Sequence, residues 1–156
     1  MSIRRAETKD IDDILRLLTE VNMVHHTIRP DLFKGPATKY SREELEQKLC
    51  MEHDPIFVYT DEADHLLGYI FCEEEEVKES PLRTGIRTLY VDDLCVDEAS
   101  RGQHVGKKLY DYVLEYARSK GYYNVTLHVW GGNDAALHFY RKMGMQDQYL
   151  CMEQIL

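Results

Sequence analysis

Apolar residues recur with helical spacing in the second half of the chain. In the first of two such stretches, 105–118, an apolar side chain stands at every fourth position: Val105, Leu109, Val113 and Ala117. This spacing places them on one face of a helix, and Gly121 follows as the expected stop. Residues 134–143 form the second stretch, which ends before Gly144. The pattern predicts helices over 105–118 and 134–143.

Runs of β-branched and aromatic residues predict the strands of a sheet. They are 3–6, 56–60, 66–72, 86–96, 122–130 and 149–156. The runs 56–60 and 66–72 are joined by the polar DEADH, which is typical of an antiparallel hairpin. The runs 86–96 and 122–130 are separated by a helix, so they should be parallel neighbours. The sequence therefore predicts an α/β fold with a mixed sheet.

Two further helices are predicted before the hairpin. Apolar residues from Ile11 to Leu18 have helical spacing, and Ser41 with Glu44 forms a capping box at the start of another helix. Between them, the stretch 22–40 contains two prolines. We expect it to be an irregular connection.

Composition and charge narrow the functional classes. The chain has 156 residues and a formal net charge of −9, which argues against nucleic-acid binding because no cluster of Lys and Arg is available for a phosphate backbone. No apolar run is long enough to span a membrane and the N-terminus has no apolar leader, so we expect a cytoplasmic protein without a membrane partner. The four cysteines show no paired spacing, and we expect no metal.

The loop from Val96 to Val105 leads from a strand into a helix N-terminus. Such a terminus favours an anion, and Gly102 and Gly106 would let one approach the backbone. An ordinary strand-to-helix turn would use the same glycines for their backbone freedom. On these residues alone, a phosphate site and a plain turn remain open, and so does a nucleotide site.

Two motifs carry a family resemblance. Residues 101–106, RGQHVG, resemble the Q/R-x-x-G-x-G/A signature of the GNAT superfamily of N-acetyltransferases, except that His104 stands where the family usually has glycine. The stretch NDAALHFYRKMGM resembles the family's later N-x-x-A-x-x-F-Y-x-K-x-G-F/M segment. The matching residues are Asn133, Ala136, Phe139, Tyr140, Lys142 and Gly144.

The resemblance implies a fold and a cosubstrate. The fold would be a single N-acetyltransferase domain over 1–156, with one mixed sheet of about six to seven strands, about four helices, and an acetyl-CoA cleft between the two parallel central strands. Acetyl-CoA would be the cosubstrate. The residues expected to bind it are Leu94, Cys95, Val96, Arg101, Gly102, Gln103, His104, Val105, Gly106, Lys107, Asn133, Ala136 and Tyr140. A backbone bulge near 94–96 would supply N–H donors to the oxyanion. His104 should fit if its φ stays negative.

The strand LYVDDLCV also resembles the diamine acetyltransferase branch, in which the first acid helps to hold and deprotonate the amine. Three residues are therefore candidate catalytic groups: Tyr140 as the acid for the thiolate, Asp92 as the favoured base, and Asp93 as the second choice. Neighbouring strand residues face opposite ways, so both aspartates can reach one amine only if a bulge intervenes. A structural role for both aspartates stays open.

The acceptor side is less well defined by the sequence. By resemblance the connection after the first helix borders this site, and the expected substrate-binding residues are His26, Arg29, Phe33, Asp92 and Trp130. The predicted function is acetyl transfer to a primary amine on a polyamine, a small amino compound or a peptide, by direct transfer in a ternary complex. The alternative is a non-catalytic CoA-binding module that senses or recruits. A homodimer is one expected assembly.

Overall fold

A computed structural model describes all 156 residues. Its five strands form one sheet in the order β1-β2-β3-β4-β5. They are β1 (Ser2–Arg5), β2 (Ile56–Thr60), β3 (Leu66–Val77), β4 (Ile86–Val96) and β5 (Asn124–Leu127). Neighbours from β1 to β4 pair antiparallel, whereas β4 and β5 pair parallel. The mixed sheet and the parallel pair are confirmed.

Four helices cover the two faces of the sheet. They are α1 (Ile11–Ile28), α2 (Arg42–Leu49), α3 (Val105–Ser119) and α4 (Asp134–Lys142). The first two close one core, in which Leu17 and Leu45 meet Tyr69 and Phe71. The other core packs α3 through Leu109 and Val113. The predicted capping box opens α2, since Ser41 accepts from the Glu44 N–H and Glu44 accepts from the Ser41 N–H.

Two sequence-based expectations about elements are wrong. The stretch 22–40 is not irregular throughout, because α1 continues to Ile28. The residues 149–156 do not form a strand: they are exposed, and no backbone–backbone hydrogen bond involves residues 146–156. Apolar composition alone indicated a strand there, but β5 is only Asn124–Leu127 and pairs with β4 alone. The sheet therefore has five strands, not six to seven.

None of the helices has the length and apolar character needed to cross a membrane.

Candidate active site

A cleft opens where β4 extends beyond the end of β5. Pairing between these strands ends at Val91 and Leu127, while β4 continues to Val96. The cleft has a volume of about 490 Å³ and lies between the end of β4, the start of α3 and α4. Its lining residues are Leu94, Val96, Ser100, Arg101, Gly102, His104, Val105, Gly106, Lys107, Ala136, Phe139 and Tyr140.

Most of the predicted cofactor-binding residues line this cleft, and three do not. Cys95 is buried against α1, where its thiol donates to the Leu17 carbonyl. The Gln103 amide donates to the Ala99 carbonyl. Asn133 caps α4 by accepting from the Ala136 N–H. Two lining residues, Ser100 and Phe139, were absent from the predicted set, although Phe139 stands in the motif that located Tyr140.

The start of α3 gives the cleft its anion-binding character. The first three N–H groups of the helix have no partner within it, and no side chain caps them. Arg101 and Lys107 add positive charge along the same wall. Backbone donors, the helix dipole and two cations together suit a phosphate group.

His104 departs from expectation at this turn. Its φ is +61°, so the negative φ set as the condition for a histidine here is not met. The turn needs the left-handed conformation that the family's usual glycine supplies, and here a histidine adopts it. The imidazole is exposed and borders the cleft.

Tyr140 presents its hydroxyl to the cleft from α4. The ring packs against Phe139 and Tyr110, with centroid distances of 5.1 and 6.1 Å. The hydroxyl has no hydrogen-bond partner in the protein. Since the protein has no buried polar side-chain atom that lacks a partner, this hydroxyl is accessible to solvent. Burial, followed by the charge of Asp93, raises the pKa of Tyr140 above its usual value. The phenol therefore stays protonated and can donate.

A bulge brings the two aspartates to the same face of the sheet. On β3, Phe71 pairs with Asp93 and Cys72 pairs with Val91, which leaves Asp92 as the extra residue. The expected bulge near 94–96 is wrong, because those residues keep regular pairing with β3. The donors of that stretch are nevertheless available on the other side, since β5 has already ended.

Asp93 is partly buried and hydrogen-bonded to the core. Its carboxylate accepts a hydrogen bond of 2.7 Å from the Tyr69 hydroxyl, and Tyr69 is fully buried. Burial raises the pKa of Asp93 to about 6, the Tyr69 hydrogen bond opposes this rise, and the charge of Asp92 adds to it. Asp93 can therefore exchange a proton close to neutral pH.

Asp92 binds an ammonium group of the chain itself. Lys39 Nζ lies 2.5 and 2.6 Å from the two carboxylate oxygens, and the Tyr40 hydroxyl donates to one of them at 3.1 Å. The Asp92 side chain is 10% exposed. Neither Lys39 nor Tyr40 was predicted, because no motif in the sequence marks them.

Three of the predicted substrate-binding residues, His26, Phe33 and Trp130, lie together. Phe33 contacts Trp130 edge to face at a centroid distance of 5.1 Å. The Phe33 carbonyl accepts a hydrogen bond of 2.6 Å from Nδ1 of the His26 ring. Arg29 instead pairs with Asp31 and with Glu153 of the C-terminal segment.

His25 packs against this group. Its ring lies 5.1 Å from that of Phe33, and its pKa is lowered, first by burial and then by the charge of Lys39. Burial and the Lys39 charge therefore both disfavour the protonated form of His25.

No cluster of three or more His, Cys, Asp or Glu side chains is arranged to hold a metal ion.

A family model that matches the amino-acid sequence identifies the family of this chain. The model of the Acetyltransferase (GNAT) family matches residues 21–145, a range that includes the bulge, the α3 turn and Tyr140. The chain belongs to this family.

Relatives of this GNAT chain share its fold over different lengths. A crystallised mutant of a Bacillus halodurans protein is 28% identical, with a TM-score of 0.95 over 100% of this chain and 99% of that one. An uncharacterized N-acetyltransferase of Methanocaldococcus jannaschii is 23% identical over 94% of this chain. A thialysine N-epsilon-acetyltransferase of Bos taurus is 36% identical over 39% of it. The chain spans 61% of the Methanocaldococcus protein's length, and its match covers 36% of the bovine one.

Proposed function

We propose that the protein is an N-acetyltransferase that moves an acetyl group from acetyl-CoA to a primary amine in a ternary complex. The observation that carries the proposal is the position of Tyr140 in a cleft with an anion-binding helix start. Two aspartates directly precede Leu94 of its lining on β4, and one of them already binds an ammonium group. Family membership supports acetyl-CoA as the donor. The bovine relative, named for thialysine, supports an amine on an aliphatic chain.

The proposed donor fits the residues of the cleft. Unpaired N–H groups at the start of α3, with Arg101 and Lys107, would hold its pyrophosphate. Gly106 has no side chain to fill the space beside Val96, where an added Cβ would lie 3.4 Å from a methyl group of that valine. Donors of β4 beyond Val91 would meet the oxyanion that forms on the acetyl carbon.

The proton steps divide between the two aspartates and Tyr140. Asp92 holds the acceptor ammonium, and Asp93, with a pKa of about 6, takes its proton. The neutral nitrogen attacks the acetyl carbon, the bond from that carbon to sulfur breaks, and Tyr140 protonates the departing sulfur. The proton that the new amide nitrogen then loses restores Tyr140. This order reverses the expectation from sequence, in which Asp92 is the first choice as base.

An amine-panel assay tests the function. Purified protein is mixed with acetyl-CoA and thialysine, a diamine, a polyamine or a lysine peptide, and free thiol is measured. We expect thiol release that depends on the added amine. Binding of CoA without turnover would favour the sensing module, and a rise in melting temperature with ATP but not with CoA would favour a nucleotide site.

Replacing Tyr140 tests the acid. Tyr140→Phe should lower kcat about a hundredfold, because the leaving sulfur loses its proton donor, while the Kd for acetyl-CoA changes little. Tyr123→Phe, at a tyrosine that is 74% exposed, is the matched control. An unchanged kcat in Tyr140→Phe would remove this residue from the acid role.

A further inference from the structure

Lys39 occupies the position that the proposed function gives to the acceptor amine. Its ammonium group contacts both oxygens of Asp92, and its charge also acts on Asp93. The group is a primary amine on an unbranched aliphatic chain, which is the chemical class of the proposed acceptor. The protein thus places an acceptor of its own on the aspartate pair.

The backbone of Lys39 is lightly held. No backbone–backbone hydrogen bond involves residues 34–40, and the segment contains no helix or strand. Tyr40 attaches it to the sheet by stacking on Phe71 at a centroid distance of 5.9 Å. No helix or strand would therefore have to break for the amine to reach further along β4 toward Leu94.

Other lysine ion pairs lack these features. Lys9, Lys48 and Lys107 pair with Asp64, Glu73 and Asp111. Lys39 is the one lysine whose ion pair includes Asp92 or Asp93. The contact is specific to the proposed reaction centre and is not a general property of the lysines.

We propose that Lys39 is an internal acceptor, which the protein acetylates on itself. The inference rests on the proposed function. The Lys39 ammonium loses one proton to the aspartate pair, its nitrogen forms a bond to the acetyl carbon, and the bond from that carbon to sulfur breaks. The nitrogen then loses its second proton, which replaces the one that Tyr140 donates. Sulfur keeps the electron pair and takes a proton from Tyr140, so the products are Nζ-acetyl-Lys39 and CoA thiol.

Acetylation changes the aspartate that external amines need. The acetylated nitrogen carries no positive charge and cannot pair with a carboxylate. Asp92 is then released from its internal partner. Self-acetylation at Lys39 therefore lowers the KM for an external amine without altering the cleft for acetyl-CoA.

Mass spectrometry of the protein incubated with acetyl-CoA alone tests this inference. We expect one acetyl group per chain, located at Lys39 by peptide mapping, at a rate independent of protein concentration because the transfer is intramolecular. Lys39→Arg keeps the charge on Asp92 and should abolish the modification. Lys34→Arg, at an exposed neighbour, should retain it, and Tyr140→Phe should slow it about a hundredfold.

The outcomes separate this inference from the proposed function. Acetylation spread over surface lysines, or equally fast in Tyr140→Phe, would show chemical modification and overturn it. An enzyme that acetylates an external amine but never Lys39 would overturn it while leaving the proposed function intact. An enzyme that releases thiol with no amine and modifies no lysine would fail both. Pre-acetylated protein with a lower KM for thialysine than Lys39→Arg would support the release of Asp92.

Discussion

The ionisation of Asp93 should set the acidic limb of the profile of kcat/KM against pH. A base must be unprotonated to accept the amine's proton, so kcat/KM should rise with pH through the Asp93 pKa of about 6. In Asp93→Asn the limb should disappear and the rate should fall about a hundredfold or more. The measurement is kcat/KM from pH 5 to 8.

Asp92→Asn is the companion variant for that profile. Its main effect should be a higher KM for the amine, because the ammonium loses its carboxylate partner, while the limb near pH 6 stays. A limb that vanishes in Asp92→Asn and persists in Asp93→Asn would exchange the two roles.

His104 should cost the fold some stability. A non-glycine residue in the left-handed conformation is strained by roughly 1 kcal/mol or more, and its φ is +61°. His104→Gly should therefore raise the free energy of unfolding by about 0.5 to 1 kcal/mol, after the greater freedom of glycine in the unfolded chain is subtracted. Chemical denaturation measures the change.

The neighbouring Gln103 supplies the control for this prediction. It is not among the residues with positive φ, so Gln103→Gly should destabilise the protein. Equal losses in both variants would mean that the turn imposes no strain on His104.

Single residues also mark the limit of what the sequence discloses. Tyr140 and the α3 turn were predictable because a spaced motif surrounds each of them. Lys39 and Tyr40 belong to no motif, and they meet Asp92 only because the chain between α1 and α2 folds back over the sheet. Contacts of this kind depend on tertiary structure, which local pattern does not contain.

At the scale of elements, the first turn of α3 depends on a small residue at Gly106. A valine there would crowd Val96, Phe139 and Leu94, whose atoms lie 3.4 to 3.6 Å from the position of an added Cβ. The extra methyl groups would also enter the cleft, so Gly106→Val should weaken acetyl-CoA binding by about 1 to 3 kcal/mol. Calorimetric titration measures the Kd.

Glu115→Val on the same helix is the control for crowding. This side chain is 75% exposed, and the substitution changes α3 away from the cleft. An unaltered Kd in Gly106→Val, or an equal loss in Glu115→Val, would mean that the α3 turn does not bind the donor.

Helices and strands could be predicted where the apolar pattern extends over several turns and a residue such as glycine marks the end. The predicted helix 105–118 agrees with α3 because its apolar face spans several turns and Gly121 ends it. The short run 149–156 has apolar residues but no neighbouring strand to pair with, and composition cannot reveal that absence. The sequence could name a bulge between the aspartates only as a condition, because β4 has the pattern of one regular strand until it is paired with β3.

At the scale of the whole molecule, Asp93 should make stability depend on pH in an unusual direction. The folded protein holds its proton up to a pKa of about 6, whereas an unfolded aspartate loses it near 3.9. The folded state thus binds more protons between these values, and stability should fall as pH rises through them. The contribution lost is about 2 to 3 kcal/mol.

Comparison with Asp93→Asn isolates this effect from other carboxylates. Asp64 has a pKa lowered to about 2 by hydrogen bonds from Lys9 and Arg4, so it acts with the opposite sign at more acidic pH. The difference in unfolding free energy between wild type and Asp93→Asn should change from pH 4 to 6 and level off above that. A difference that is flat over this range would mean that Asp93 has an ordinary carboxyl pKa.

The bulge at Asp92 makes strand length a determinant of chemistry. Residues of a regular strand alternate between faces, so removing Val91 would straighten β4 and send the two adjacent acids to opposite sides of the sheet. Every side chain named in the reaction would then still be present, but Asp92 and Asp93 would lie on opposite faces of the sheet. In this protein a single-residue deletion, which a comparison of residue identities can overlook, would separate an amine from the group that deprotonates it.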